Sequence, residues 1–126
     1  MKTSLDPRHI RREKAIKALF ASSFHQEAKT KNKIANQVLG SAKKIDEITS
    51  KIASEWPIGQ INKVDLAILR LAIYELLVAR KEPAKVIIDE AVELGKKYGS
   101  QSTAGFVNGV LGTILNQMNK ENHDQK

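Results

Sequence analysis

The chain has 126 residues, 41% of them hydrophobic and 28% charged, and no cysteine, which describes one domain able to bury a core without disulfides or metal. The missing thiol excludes disulfides, thiolate metal sites and thiol nucleophiles, and several enzyme classes with them. Lys and Arg total 21 against 14 Asp and Glu, a net charge of +7; this favours a polyanionic partner, nucleic acid first, although lysine also serves simply to keep a helical protein soluble.

No apolar run reaches the roughly 18 residues of a membrane span. Residues 1–6 lack the apolar stretch and small-residue cleavage site of a secretory signal. A cytoplasmic protein with no membrane partner is expected.

Asp6-Pro7 starts a helix, because the carboxylate accepts from free backbone N–H groups and proline has its φ already helical. This first helix is predicted from Pro7 to about Ala28, with Ile16, Leu19, Phe20, Ser23 and Phe24 on one buried face. Arg8 and Arg12 lie on the same line as Ala15 and Leu19, so the basic end is expected to project beyond the core. After the polar break 29–33, Ile34, Val38, Ser41, Ile45, Ile48, Ile52 and Glu55-Trp56 alternate at steps of four and three. They predict a helix of about six turns, with a bend or break at Gly40, ended by Pro57 and Gly59. Trp56 reads as a core plug rather than a recognition residue.

Asn62 caps the next helix, with Asp65 placed for a reciprocal capping bond. From Leu66 to Leu77 that helix is apolar nearly all round and must be central; Arg70 and Glu75 within it are expected to find partners on neighbouring helices. Pro83 opens a helix burying Val86, Ile87, Ala91 and Leu94, and Gly99 suits a left-handed terminal position. A last helix carries Phe106, Val107, Val110, Leu111, Ile114, Leu115 and Met118, followed by a loose tail from Asn119 to Lys126. The predicted class is all-α, a helical part at 6–56 packed on another at 61–118.

No catalytic constellation emerges. His9, His25 and His123 are scattered, the five glycines from Gly95 to Gly112 do not form a phosphate loop, and Asp89-Glu90 diverge on a helix. Catalysis, metal, cofactor and small-molecule substrate are not expected. The polar motif with a mechanism is Arg8-His9-Ile10-Arg11-Arg12, with Lys2, Lys14 and Lys17 nearby: guanidinium forks bind phosphate and stack on unpaired bases. The same cluster is compatible with a solvated helix end, or with an acidic membrane surface were the apolar face not committed to the core.

The segments INKVDLAILRLAIYELL (61–77), PAKVIIDEAVELGKKYG (83–99) and FVNGVL (106–111), in that order and spacing, resemble the transcription antitermination factor NusB family over roughly residues 8–118. The resemblance implies a NusB-like helical fold and an N-terminal Arg-rich motif that takes part in binding boxA RNA. It also implies pairing with Nus factor E, a small-subunit ribosomal protein, and loading onto RNA polymerase in an antitermination complex that reads through terminators in ribosomal RNA operons. Arg8 and Arg12 match family arginines; His9 stands where a second arginine is usual, Arg11 where a small residue is usual, and Phe20 replaces a frequent tyrosine. Some twenty family residues are missing between Ala28 and Ile34.

The expected RNA contacts are phosphate binding by Arg8, Arg11 and Arg12, base stacking by Phe20 and Phe106, and electrostatic support from Lys2 and Lys97. Phe106 fits the core almost as well. Asp65 is expected on the protein-partner surface. A related helical domain precedes cytosine methyltransferases, but the chain ends before such a domain, and the nucleophilic cysteine is absent. A helical protein-interaction module without specific RNA binding remains the alternative.

Overall fold

The computed structural model describes residues 6–24 and 30–124, and among them six α-helices and no strand. Helix α1 (Pro7–Ser22) starts as its sequence dictates: the Asp6 side chain accepts from the Arg8 N–H at 2.8 Å and Pro7 occupies the first turn. It ends earlier than the apolar spacing predicts. The hydroxyls of Ser22 and Ser23 donate to the carbonyls of Leu19 and Phe20, local bonds that compete with helix propagation. Residues 25–28 of the expected extension lie outside the described residues.

The expected six-turn helix is two, α2 (Lys33–Gly40) and α3 (Ala42–Ile52), broken at Ser41 beside Gly40. The Asn32 side chain caps α2, accepting from Ala35 N–H at 2.8 Å. Because α3 stops at Ile52, the inward position falls to Ala53, and Trp56, expected as a core plug, is 54% exposed. A 3-10 turn (Ile58–Gln60) leads to α4 (Lys63–Tyr74).

Helix α4 is central: Asp65 to Leu69 and Leu71 to Ile73 are all buried, and it packs on α1, α2, α3, α5 and α6. Asn62 caps it through Val64 N–H at 2.8 Å, but Asp65 does not complete the reciprocal cap; its carboxylate instead accepts from the Thr103 hydroxyl at 2.7 Å. Arg70 forks onto Asp46 of α3 at 3.0 and 2.7 Å, the structural pairing its burial requires. After Tyr74 the chain opens into a π-helical turn (Glu75–Ala79), closed by Arg80 N–H donating to Glu75 C=O at 2.9 Å, with Arg80 left-handed at φ 52°.

Helix α5 (Ala84–Tyr98) follows Pro83, and α6 (Thr103–Asp124) packs along it. The expected loose tail is helical as far as Asp124, since no Gly or Pro interrupts the chain after Gly112. The apolar faces of α1 to α6 merge into one core cluster running from Ala15 through Ile68, Leu69 and Ile73 to Ile114.

Gly99 is not left-handed (φ −92°). Its constraint is space: a Cβ there would lie 2.5 Å from Thr103 Cβ and Cγ2, beside the hydroxyl that accepts from Ser100 N–H and donates to Asp65. Gly99→Ala is therefore expected to lower unfolding free energy by about 1–3 kcal/mol, measured by urea denaturation. A neutral result would mean that the α5–α6 turn relaxes freely.

Candidate nucleic-acid interface

Successive helix residues turn by about 100°, and this sorts the charges of α1. The inward line is Arg12, Ala15, Ile16 and Leu19, all buried. Opposite it stand Arg11, Lys14 and Lys17, all exposed, advancing by about 4.5 Å and turning by about 60° from one to the next. No acid of α1 shares that outward face, because Glu13, the one acidic residue of the helix, is turned toward α5.

The flank facing α5 and α4 alternates cations with rings. Lys97 Nζ lies 2.5 Å from Glu13 Oε2, and the Tyr98 hydroxyl donates to the same oxygen. Lys17 Nζ and Lys97 Nζ stand 5.7 and 5.3 Å from the Tyr98 ring centroid, within cation–π reach. Further along, Phe20 and Phe24 meet edge to face at 5.1 Å, and Lys63 Nζ sits 5.1 Å from the Phe24 ring while donating to the Ser23 carbonyl. Phe20 is 36% and Phe24 59% exposed, so neither is the core residue its spacing suggests.

The three arginines do not form one surface. Arg12, expected on phosphate, has a side chain only 6% exposed. Its Nε reaches both oxygens of Glu75 at 3.1 Å, Nη1 reaches Glu90 at 3.4 Å, and Nη2 bonds Glu82. The spacing that aligned Arg12 with Ala15 and Leu19 points it into the molecule. Burial opposes its charge, but the bond to Glu75 and the charges of Glu75, Glu82 and Glu90 prevail and push its pKa up. Burial likewise raises the Glu75 carboxyl, with Arg12 pulling against it. Arg8 is half exposed and shared between Asp6 at 3.2 Å and Glu82 at 3.4 Å, while its hydrogen bonds hold Asp6 below the usual carboxylate range. His9 places Nδ1 3.2 Å from Glu90 and Nε2 3.4 Å from Glu13.

Of the remaining expected positions, Arg11 and Lys97 are exposed, and Lys2 lies outside the described residues. Phe106 is half-buried against the core, yet it lines a cleft of ≈ 280 Å³ with Trp56, Gln60, Asn62 and Ser102. Asp65, expected on an exposed partner surface, is buried beneath that cleft and bonded to Thr103. Phe24, Lys63 and Tyr98 were given no binding role by the sequence, and Lys14 and Lys17 appeared there only as neighbours of the arginine motif. The outward lysines were readable from helical spacing alone; the Tyr98, Phe24 and Lys63 contacts need the tertiary approach of α5 and α4 to α1.

The model of the NusB family matches residues 9–116. The chain belongs to the NusB family. It is 44% identical over 92 residues to the transcription antitermination protein NusB of Herpetosiphon aurantiacus, covering 71% of this chain and 63% of that protein. The chain thus spans less than two thirds of that relative's length. Among solved structures, T. maritima NusB superposes with a TM-score of 0.74 at 33% identity, covering 90% of this chain and 92% of that one. A second, of the antitermination factors NusB and NusE in complex with dsRNA, superposes at 0.75 with 25% identity, covering 87% and 96%. The all-α architecture is the NusB fold.

Proposed function

We propose that the protein is a non-enzymatic transcription antitermination factor. It binds boxA-type RNA together with Nus factor E, the ribosomal protein partner, and helps RNA polymerase read through terminators in ribosomal RNA operons. The observation that carries the reading is the acid-free outward face of α1, Arg11, Lys14 and Lys17, bordered by the rings of Phe20, Phe24 and Tyr98. Cations in register along a helix neutralise phosphates, and exposed rings beside them stack unpaired bases of any sequence. Arg8, shared with Asp6 and Glu82, and Lys97, paired with Glu13, border this face with little free charge of their own, and the ring of Phe106 lies beside Trp56. Family membership and the solved relative with NusE and RNA support the same assignment.

The exposed Trp56 and the cleft it forms with Phe106 above Asp65 favour a protein-docking face at that end, aromatic anchors being the commonest interface residues. A protein-only module would use this face alone and leave the cationic one idle.

The rings separate single strands from duplex. Phe20→Ala/Phe24→Ala is expected to weaken a boxA-like single strand by about 1–3 kcal/mol per stacked base, and to leave a duplex of equal charge nearly unchanged. Fluorescence anisotropy with both RNAs measures this. Equal losses on both would remove the stacking role, and wild-type binding insensitive to salt would favour the protein-only module.

A further inference from the structure

Glu13 sets its carboxylate into the cationic flank, between Lys97 and Tyr98. Its Oε2 receives both Lys97 Nζ, at 2.5 Å, and the Tyr98 hydroxyl. Its Oε1 lies 3.4 Å from His9 Nε2. The side chain is only 14% exposed, whereas that of Lys97 is 52% exposed. The ammonium therefore faces solvent beside Lys17 and the Tyr98 ring, with its counter-charge already beneath it.

Resting on the RNA-binding reading, we propose that Glu13 limits affinity: it neutralises Lys97 from below and holds down sequence-independent attraction for the RNA backbone. The Lys97–Glu13 pair is close to neutral as a unit. A phosphate approaching Lys97 meets the carboxylate behind it, so the pair gives the flank geometry and a ring platform with little net field. The free positive charge is left to Arg11, Lys14 and Lys17, whose side chains reach no carboxylate among the described residues. A residue that served only to orient Lys97 and Tyr98 would have the opposite effect on binding, because its loss would disorder two contact groups.

The test is a charge cycle on single-stranded RNA. Glu13→Gln keeps the size and an acceptor for the Tyr98 hydroxyl while removing the charge. It is expected to tighten binding by about 4-fold at 0.15 M salt and to steepen the log–log salt slope by about 0.7, the increment for one phosphate on a single strand. A boxA-like RNA and a scrambled one should gain equally. Lys97→Ala is expected to weaken binding by a similar factor, and the double variant to return to wild type. Circular dichroism verifies that each variant is folded. Weaker binding by Glu13→Gln, or no change in slope, overturns the proposal. The underlying reading is tested separately with Lys14→Ala/Lys17→Ala: if that variant binds less well while Glu13→Gln fails to gain, Glu13 alone has been misassigned. If neither variant changes binding, both readings fall.

Discussion

Arg12→Met should cost about 3–5 kcal/mol of unfolding free energy, the penalty for stranding buried charge when one partner of an ion pair is removed. Three carboxylates, Glu75, Glu82 and Glu90, converge on this guanidinium. Methionine keeps much of the packing volume and none of the donors. For a domain whose whole stability is of order 5–15 kcal/mol, that is a large share. The deficit has a pH signature. Burial already raises the Glu75 carboxyl above its ordinary value, and a folded-state pKa above the unfolded one gives stability that is present below the unfolded pKa and lost as pH rises through the folded pKa. Without Arg12 this loss deepens, so the variant should fall further behind wild type near neutrality than about two pH units lower. Adding Glu90→Gln should recover part of the loss. Urea unfolding at the two pH values decides it; a pH-independent deficit under about 1 kcal/mol would show that the cluster is well hydrated and Arg12 dispensable.

The triple variant Arg11→Ala/Lys14→Ala/Lys17→Ala should leave the fold intact and remove most of the RNA affinity. All three side chains are exposed, and alanine is the best helix former. Each phosphate contact on a single strand adds about 0.7 to the salt slope, so three removed contacts predict a slope shallower by about 2 and an affinity lower by ~50-fold at 0.15 M salt. Arg12→Met, provided it is assayed where it is folded, should keep the wild-type slope, because its guanidinium neutralises carboxylates within the protein. Binding titrations between about 0.05 and 0.3 M salt separate the two. An unchanged slope in the triple variant would falsify the assignment of the outward face of α1 to RNA.

The contrast between these variants shows which parts of the site were legible. The helical spacing of Arg12 with Ala15 and Leu19 was visible in the sequence, and it implied an inward side chain. The Arg-rich motif nevertheless reads as one basic patch until the carboxylates are located, and those come from the π-helical turn after α4, the following loop and α5, more than 60 residues away. The helices themselves were readable because period and caps agree at Asp6-Pro7, Asn32 and Asn62. The errors came where a local bond or a missing stop signal outweighed periodicity. Serine hydroxyls closed α1 early, α3 ended before Trp56, and α6 ran on past Asn119. Gly99 was marked correctly as special, but for the wrong cause; a neighbouring threonine sets its limit, and only the packed structure reveals it.

The widened turn after Tyr74 sets the phase of everything that follows it. With five residues spanning the loop from Glu75 C=O to Arg80 N–H, the chain leaves α4 in a direction that lets Glu82 reach back to Arg8 and Arg12. Tightening that segment to an ordinary α-turn by deleting one residue would swing the exit by about 100° and carry Glu82 away from both arginines. The cationic tip of the first helix thus depends on a small irregularity at the far end of the fourth, and segment length there acts as a rotational setting for the charge balance of the whole N-terminal edge.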